Sequence, residues 1–277
     1  MIQRILILAG YFSKNVFFSI TGLLLLILSI IYWAIFFPPG QGTPDIENYI
    51  ILIGAHGAAA TFLVTLAICS KAARMENFPA LVRLPSRVEY LVAVLLSSLF
   101  LGLLLQLLVA GLALIRGPEV TVMRILSIPP MWLSINLLAS ILAMHATDLV
   151  TTGWSRVVLF GLLAVALILN SASSSASESW FSDQLVTLSD IFTRINLMWF
   201  ADLTAGAAMW AYDSPLPVVA NAAGMIFWPF RAMADAVFAG SFTPSQSLAP
   251  AILMLYGAIL FLIAATLFAG KDLDFLE

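Results

Sequence analysis

Long stretches of this chain contain no charged side chain, and they restrict the folds open to it. A membrane span needs about 20 mostly apolar residues. In lipid all backbone polar groups must be bonded internally, so spans are helices or closed barrels, and continuous apolar runs predict helices. Six uncharged gaps are long enough, between Lys14 and Asp45, Glu47 and Lys71, Glu89 and Arg116, Arg124 and Asp148, Arg156 and Glu178, and Asp235 and Lys271.

The gaps predict an all-α integral membrane protein, a six-span helical bundle. Composition agrees, because 62% of the residues are hydrophobic and only 10% are charged, against about 25% charged in soluble domains. The predicted spans lie near 16–37, 48–70, 89–115, 129–149, 154–172 and 249–269.

Lysine and arginine in short loops favour the cytoplasmic side of a membrane. With the N-terminus inside, eight basic residues fall in cytoplasmic segments and four in the longer outer ones. We therefore predict that both termini are cytoplasmic. The inner set is Arg4, Lys14, Lys71, Arg74, Arg83, Arg87, Arg156 and Lys271, and the outer set is Arg116, Arg124, Arg194 and Arg231.

Three segments are predicted to lie outside the spans of this single transmembrane domain, 1–277. Residues 1–15 mix apolar and basic side chains, which is typical of an interfacial helix; the alternative is an early start of the first span. Residues 71–88 are predicted to contain a short amphipathic helix between Pro79 and Pro85, which would suit the docking of a soluble partner. The alternative is an ordinary basic loop. Residues 173–248 are predicted to form extracytoplasmic apolar helices, although 195–238 could add a membrane hairpin.

Catalytic motifs are absent from the sequence. It contains no G-x-x-x-x-G-K-[ST], H-E-x-x-H or G-x-S-x-G, so neither ATP binding by a P-loop nor these hydrolase sites are predicted. One cysteine, Cys69, cannot form an internal disulfide or a cysteine-rich metal site. We predict no catalytic residue, no metal site and no directly bound cofactor. A net charge of −3 without a basic run gives no footprint for nucleic acid.

Polar residues within predicted spans are the candidates for a substrate path, since such residues are costly in lipid. These residues are His56, Gln106, Asn136 and His145. The histidines could hold one haem between helices, but the predicted spans place them at depths that differ by about 12 Å. Polar contacts within the bundle are the simpler interpretation.

The order of parts, and two short motifs, resemble the permease subunit of a type-two ABC exporter. The first motif runs Glu76-Asn-Phe-Pro-Ala-Leu-Val-Arg-Leu-Pro85-Ser-Arg87-Val-Glu89-Tyr90, and the second is Gly270-Lys271-Asp272-Leu273. The family's usual Gly-Thr after the acidic residue is absent, and one residue is missing between Pro85 and Arg87. The similarity in layout covers essentially the whole chain.

The resemblance implies a transport subunit with no enzyme activity of its own. Two permease chains, identical or not, would pair with separate ATPase subunits that bind ATP and Mg, in the cytoplasmic (inner) membrane of a bacterial-type cell. A lipidic, glycan or hydrophobic cargo is expected. The ATPase-coupling residues would be Glu76, Phe78, Leu81, Arg83, Pro85 and Arg87.

Two other functions remain open from the sequence. One is the membrane anchor of a redox complex that binds haem or quinone, and the other is a permease-like scaffold or assembly factor that transports nothing. A haem spectrum would favour the first, and partners without stimulated ATP hydrolysis would favour the second.

Overall fold

The computed structural model describes residues 2–38, 46–74, 77–115, 122–151, 156–157, 160–161, 163–164, 180–194, 197–213 and 216–270. No strand occurs among these residues, and the protein is all-helical as predicted. The helices are α1 (Ile2–Phe17), α2 (Ile20–Phe36), α3 (Ile46–Ala72), α4 (Phe78–Arg83), α5 (Arg87–Leu114), α6 (Val122–His145), α7 (Trp180–Arg194), α8 (Met198–Asp213), α9 (Leu216–Ala239) and α10 (Ala249–Gly270).

Among the described residues, four helical segments are long and apolar enough to cross a membrane, and a fifth is added if α1 and α2 count as one broken span. The protein is therefore a multi-pass membrane protein. The four segments are Ile46–Ala72, Arg87–Leu114, Arg124–His145 and Gln246–Gly270, the last of which contains α10. Most of the predicted span 154–172 lies outside the described residues, so the total of six spans stays a prediction.

The fourth predicted span was placed incorrectly at its start. It was predicted to begin at Pro129, but α6 begins at Val122 and continues through Pro129 and Pro130. Each proline removes a backbone donor and usually ends a helix in water. Helices in membranes tolerate proline when neighbours satisfy the freed groups. Near these prolines, the Ser127 hydroxyl donates a hydrogen bond to the Arg124 carbonyl at 2.8 Å.

The chain divides into two compact units, one made of residues 1–156 and 232–277 and the other of 157–231. At one end of the first unit, a core cluster joins α1, α3, α4, α5, α6 and α10. A second cluster joins α3 and α5 near the other end. The first cluster includes Phe12, Ile68, Leu81, Tyr90, Met144 and Phe268.

Helices α1 and α2 meet at a bend of 70°. Ser19 forms this bend, because its hydroxyl donates to the Val16 carbonyl at 2.7 Å and accepts from the Gly22 amide at the start of α2. Helix α1 packs along α5, where the Ser97 hydroxyl donates to the Ala9 carbonyl at 2.8 Å. An unbroken extension of the first span into residues 1–15 does not fit this bend. That α1 lies in the headgroup region stays a prediction.

The second unit contains a helical hairpin of α7 and α8. The Ser189 hydroxyl donates to the Ala201 carbonyl at 2.9 Å, and the rings of Phe192 and Phe200 lie 5.6 Å apart. With 15 and 16 residues, α7 and α8 are shorter than a membrane span requires. Helix α9 is longer but is not among the helices apolar enough to cross. The described residues of 195–238 contain no helix of this kind, and the membrane hairpin considered there stays an untested alternative.

Candidate functional site

The short helix α4 carries three of the six predicted coupling residues, Phe78, Leu81 and Arg83. Pro79 stands in its first turn, where a missing backbone donor costs nothing, and the helix ends at Arg83 before Pro85. Asn77 precedes it and donates its side-chain amide to the Lys71 carbonyl at 2.8 Å. This hydrogen bond holds the loop before α4 against the end of α3.

Two neighbouring residues of α4 face opposite ways. Leu81 is 4% exposed and belongs to the core cluster with Phe12 and Tyr90, whereas Val82 is 64% exposed. Arg83 and Pro85 are exposed beside Val82. Val82, Arg83 and Pro85 form what we call the α4 outer face. This face can contact a partner, while Leu81 holds the helix on the bundle.

The remaining predicted coupling residues are placed differently. Glu76 lies outside the described residues, and only the backbone of Phe78 is described. Arg87 donates to the Ala269 carbonyl at the end of α10, at 3.2 Å. Arg87 therefore joins the start of α5 to the end of α10. A contact with a partner protein would come in addition to this hydrogen bond.

Several contacts that the sequence does not reveal tie the surroundings of α4 to other helices. The Tyr90 hydroxyl donates to the Ala72 carbonyl at 2.7 Å. The Arg4 guanidinium of α1 lies 3.7 Å from the carboxylate of Glu89, which is 7% exposed. These two contacts join α3 to α5 and α1 to α5 next to α4.

The intramembrane candidates divide into one pair and two separate histidines. The Asn136 side-chain amide donates to the Gln106 side-chain carbonyl at 2.6 Å, and Gln106 in turn donates to the Ile53 carbonyl at 3.3 Å. The ring of His56 packs on Tyr32, with centroids 4.7 Å apart. A ring nitrogen of His145 lies 3.0 Å from the Leu260 carbonyl.

A polar seam runs through the three helices around the Gln106–Asn136 pair. A signal for it is visible in the sequence, because small or polar residues recur at four-residue intervals in α3 and α5. One helical turn after Asn136 in α6, the Ser140 hydroxyl lies 3.0 Å from the hydroxyl of Thr65. We call this set the polar seam; its members are Gly57, Thr61 and Thr65 in α3, Ser98, Gly102 and Gln106 in α5, and Asn136 and Ser140 in α6.

Apart from the Glu89 carboxylate, which lies near Arg4, three buried side-chain atoms keep unused hydrogen-bonding capacity. His56 Nε2, Thr61 Oγ1 and Asn136 Oδ1 have no hydrogen-bond partner among the described residues. Buried polar atoms are usually paired. These atoms are where the bundle could take up a polar group, although the structure does not join them into one site.

We predict that Gln106 and Asn136 stabilise the bundle together. Replacing each by leucine, singly and in combination, should give a coupling energy of about 0.6 kcal/mol, with about 1.7 as the upper end seen for such pairs in membranes. Unfolding in an SDS titration measures it. Additive effects of the two substitutions would show that the 2.6 Å contact contributes nothing specific.

Described His, Cys, Asp and Glu side chains do not gather in any group of three that could hold a metal ion. Comparisons with protein-family models, with curated proteins and with solved structures gave no match to this chain.

Proposed function

We propose that this protein is the membrane-spanning permease subunit of an ATP-driven ABC exporter. The observation that carries the proposal is α4, a six-residue helix between two spans whose inner face is anchored by Leu81 and whose outer face is exposed. A docking helix needs both properties, since it must bind a partner and transmit the partner's motion to the spans. The missing P-loop in the sequence fits an ATPase carried by another chain.

The distribution of charge supports the same arrangement. Lys71 and Arg87 contact chain segments at the α4 end of the bundle, and Arg4 lies near Glu89 there. At the start of α3, Arg124 pairs with Glu47 at 2.6 Å. The positive-inside rule assigns the α4 end to the cytoplasm, where ATP and Mg are available to a partner ATPase.

In this proposal, closure of two ATPase subunits on ATP pushes the α4 outer face. Leu81 and the contacts of Tyr90 and Arg87 carry the displacement to α3, α5 and α10. A second permease chain, identical or different, completes the pathway. Helix α2 leaves room for it, because Ser29 is its one residue buried within this chain.

The outer apolar helices would border the exit of the cargo. In α7 and α8 several large apolar residues are exposed, including Ile191 at 48%, Trp199 at 69% and Leu203 at 57%. Such surfaces suit the boundary between headgroups and acyl chains. A lipidic, glycan or hydrophobic cargo fits these surroundings.

Photo-crosslinking from a single position tests the docking role of α4. A photoreactive residue at Val82 should label a P-loop ATPase in native membranes, because this side chain is exposed on the α4 outer face. The matched control is Leu96, which is 39% exposed on α5 and should label only lipid or membrane chains. Labelling of the ATPase from Leu96 but not from Val82 would contradict the proposal.

A further inference from the structure

An apolar groove of about 550 Å³ lies where α1, α2, α3 and α5 meet. Every side chain that lines it is aliphatic or aromatic, and Gly22 adds backbone. Its wall includes Val16 and Phe17 from α1, Leu26 from α2, Val64 from α3, and Leu104 and Leu105 from α5.

The groove opens on the outer surface of the bundle. Phe17, Leu23 and Leu107 border it and are 53%, 56% and 61% exposed. In a membrane protein this surface faces acyl chains, which suit an apolar groove better than water does.

The groove is fixed by the bend between α1 and α2. A side chain at Gly22 would meet the Val16 carbonyl oxygen at 2.3 Å, so the two helices approach at the closest distance that glycine allows. Helix α2 runs at 70° to α1, and its residues Leu23, Leu25 and Leu26 form one wall of the groove. The opening therefore belongs to the fold of this segment.

Positive charge marks one end of the groove. The Lys71 ammonium donates to the Asn15 carbonyl at 2.6 Å. Asn15 directly precedes Val16 and Phe17, which line the groove. Lys71 also follows Val64 by seven residues, which places it on the same face of α3 about 10 Å farther along. Lys14 and Arg74 are exposed at this end.

We propose that this groove holds one acyl chain of an anionic phospholipid, whose phosphate is bound by Lys71 and Lys14. Apolar walls select a chain, and the basic end selects a negative headgroup. An ammonium has three donors, so Lys71 can keep its bond to Asn15 and still contact a phosphate oxygen. The proposal requires membrane insertion only and does not depend on transport or on an ATPase.

Lipid retention by the purified full-length chain tests this site. The protein is incubated in detergent with equal amounts of phosphatidylglycerol and phosphatidylcholine, and native mass spectrometry counts the bound lipids. We expect one phosphatidylglycerol per chain, preferred over phosphatidylcholine by about fivefold for each lysine that contributes.

Two pairs of variants test the binding of the acyl chain and the recognition of the headgroup separately. Leu104→Trp fills the groove and should remove the retained lipid. Leu96→Trp is the control and should keep the lipid, because Leu96 lies on the same helix and is 39% exposed, close to the 41% of Leu104. Lys14→Gln with Lys71→Gln should abolish the preference for phosphatidylglycerol, whereas Arg194→Gln with Arg231→Gln should leave it unchanged. Leu26→Trp, at a lining residue 38% exposed, repeats the first test should Leu104→Trp fail to fold.

Three results would overturn the proposal. Equal retention of both lipids by the unmodified chain would show that the groove takes any apolar chain. Unchanged phosphatidylglycerol binding in both groove-filling variants would place the lipid elsewhere. A dimer in the spectra that Leu104→Trp dissociates would identify a second copy of this chain as the occupant.

Discussion

Replacing Gly102 by leucine is expected to destabilise the bundle by about 3 kcal/mol or more, which is at or above the usual range for overpacking. A Cβ atom at this position would lie 2.1 Å from Thr61 Oγ1 and 2.9 Å from Thr61 Cα. The second of these atoms is backbone, so a change of rotamer cannot relieve the clash and α3 and α5 must separate. Unfolding in an SDS titration measures the loss.

The same helix supplies a matched control. Gly111→Leu introduces the same side chain where no atom lies within 4 Å of the new Cβ. There we expect no loss, and a gain of up to about 1 kcal/mol because leucine favours helices over glycine. Equal losses at Gly102 and Gly111 would mean that α3 and α5 do not cross as described.

Gly57 should respond more mildly than Gly102. Its added Cβ would meet the side chain of Gln106 at 2.2 Å, and that side chain is flexible. The cost of Gly57→Ala is therefore expected to be smaller, and to include the loss of the Gln106–Asn136 contact. Because α3 and α5 run in opposite directions, Gly57 lies opposite Gln106 and Gly102 lies opposite Thr61.

Reversing the character of the α4 outer face is expected to detach the ATPase. Val82→Asp together with Arg83→Glu places two negative charges where an apolar and a basic side chain now project. Truncation of a residue central to an interface costs 2 kcal/mol or more, so we expect affinity to fall by at least about 30-fold. Copurification of the partner and a binding titration measure this.

Two comparisons make this result specific. Because Val82 and Arg83 are exposed, the double variant should unfold like the unmodified chain, whereas Leu81→Asp should unfold much more easily, since it buries a charge in the core. Arg194→Glu changes an exposed arginine in α7 and should retain the ATPase. Arg87→Glu is a poorer test, since Arg87 also binds the end of α10. Retention of the ATPase by the Val82–Arg83 variant would remove α4 as its docking site.

The uncharged gaps predicted the long helices closely. The helices expected over 48–70, 89–115 and 249–269 are observed as Ile46–Ala72, Arg87–Leu114 and Ala249–Gly270. Charge marks the ends of such helices because a charged side chain is costly in lipid. The start of α6 was missed, because its prolines lie in a helix whose neighbours tolerate them.

The contacts between helices were beyond prediction from one sequence. Four-residue spacing places Gly57, Thr61 and Thr65 on one face of α3, but it cannot say which helix that face meets. The Gln106–Asn136 pair depends on the relative register of α5 and α6. Likewise, the apolar residues of α4 do not reveal which of them meet the bundle, whereas the position of α4 buries Leu81 and exposes Val82.

Gentle solubilisation of the protein from its native membrane, followed by mass spectrometry of what copurifies, tests whether this chain works together with an ATPase. We expect a soluble P-loop ATPase in a stoichiometric ratio to this chain. A haem protein or flavoprotein in its place would favour the redox anchor. Partners that include no ATPase would favour the scaffold, and either result would contradict the proposed transporter.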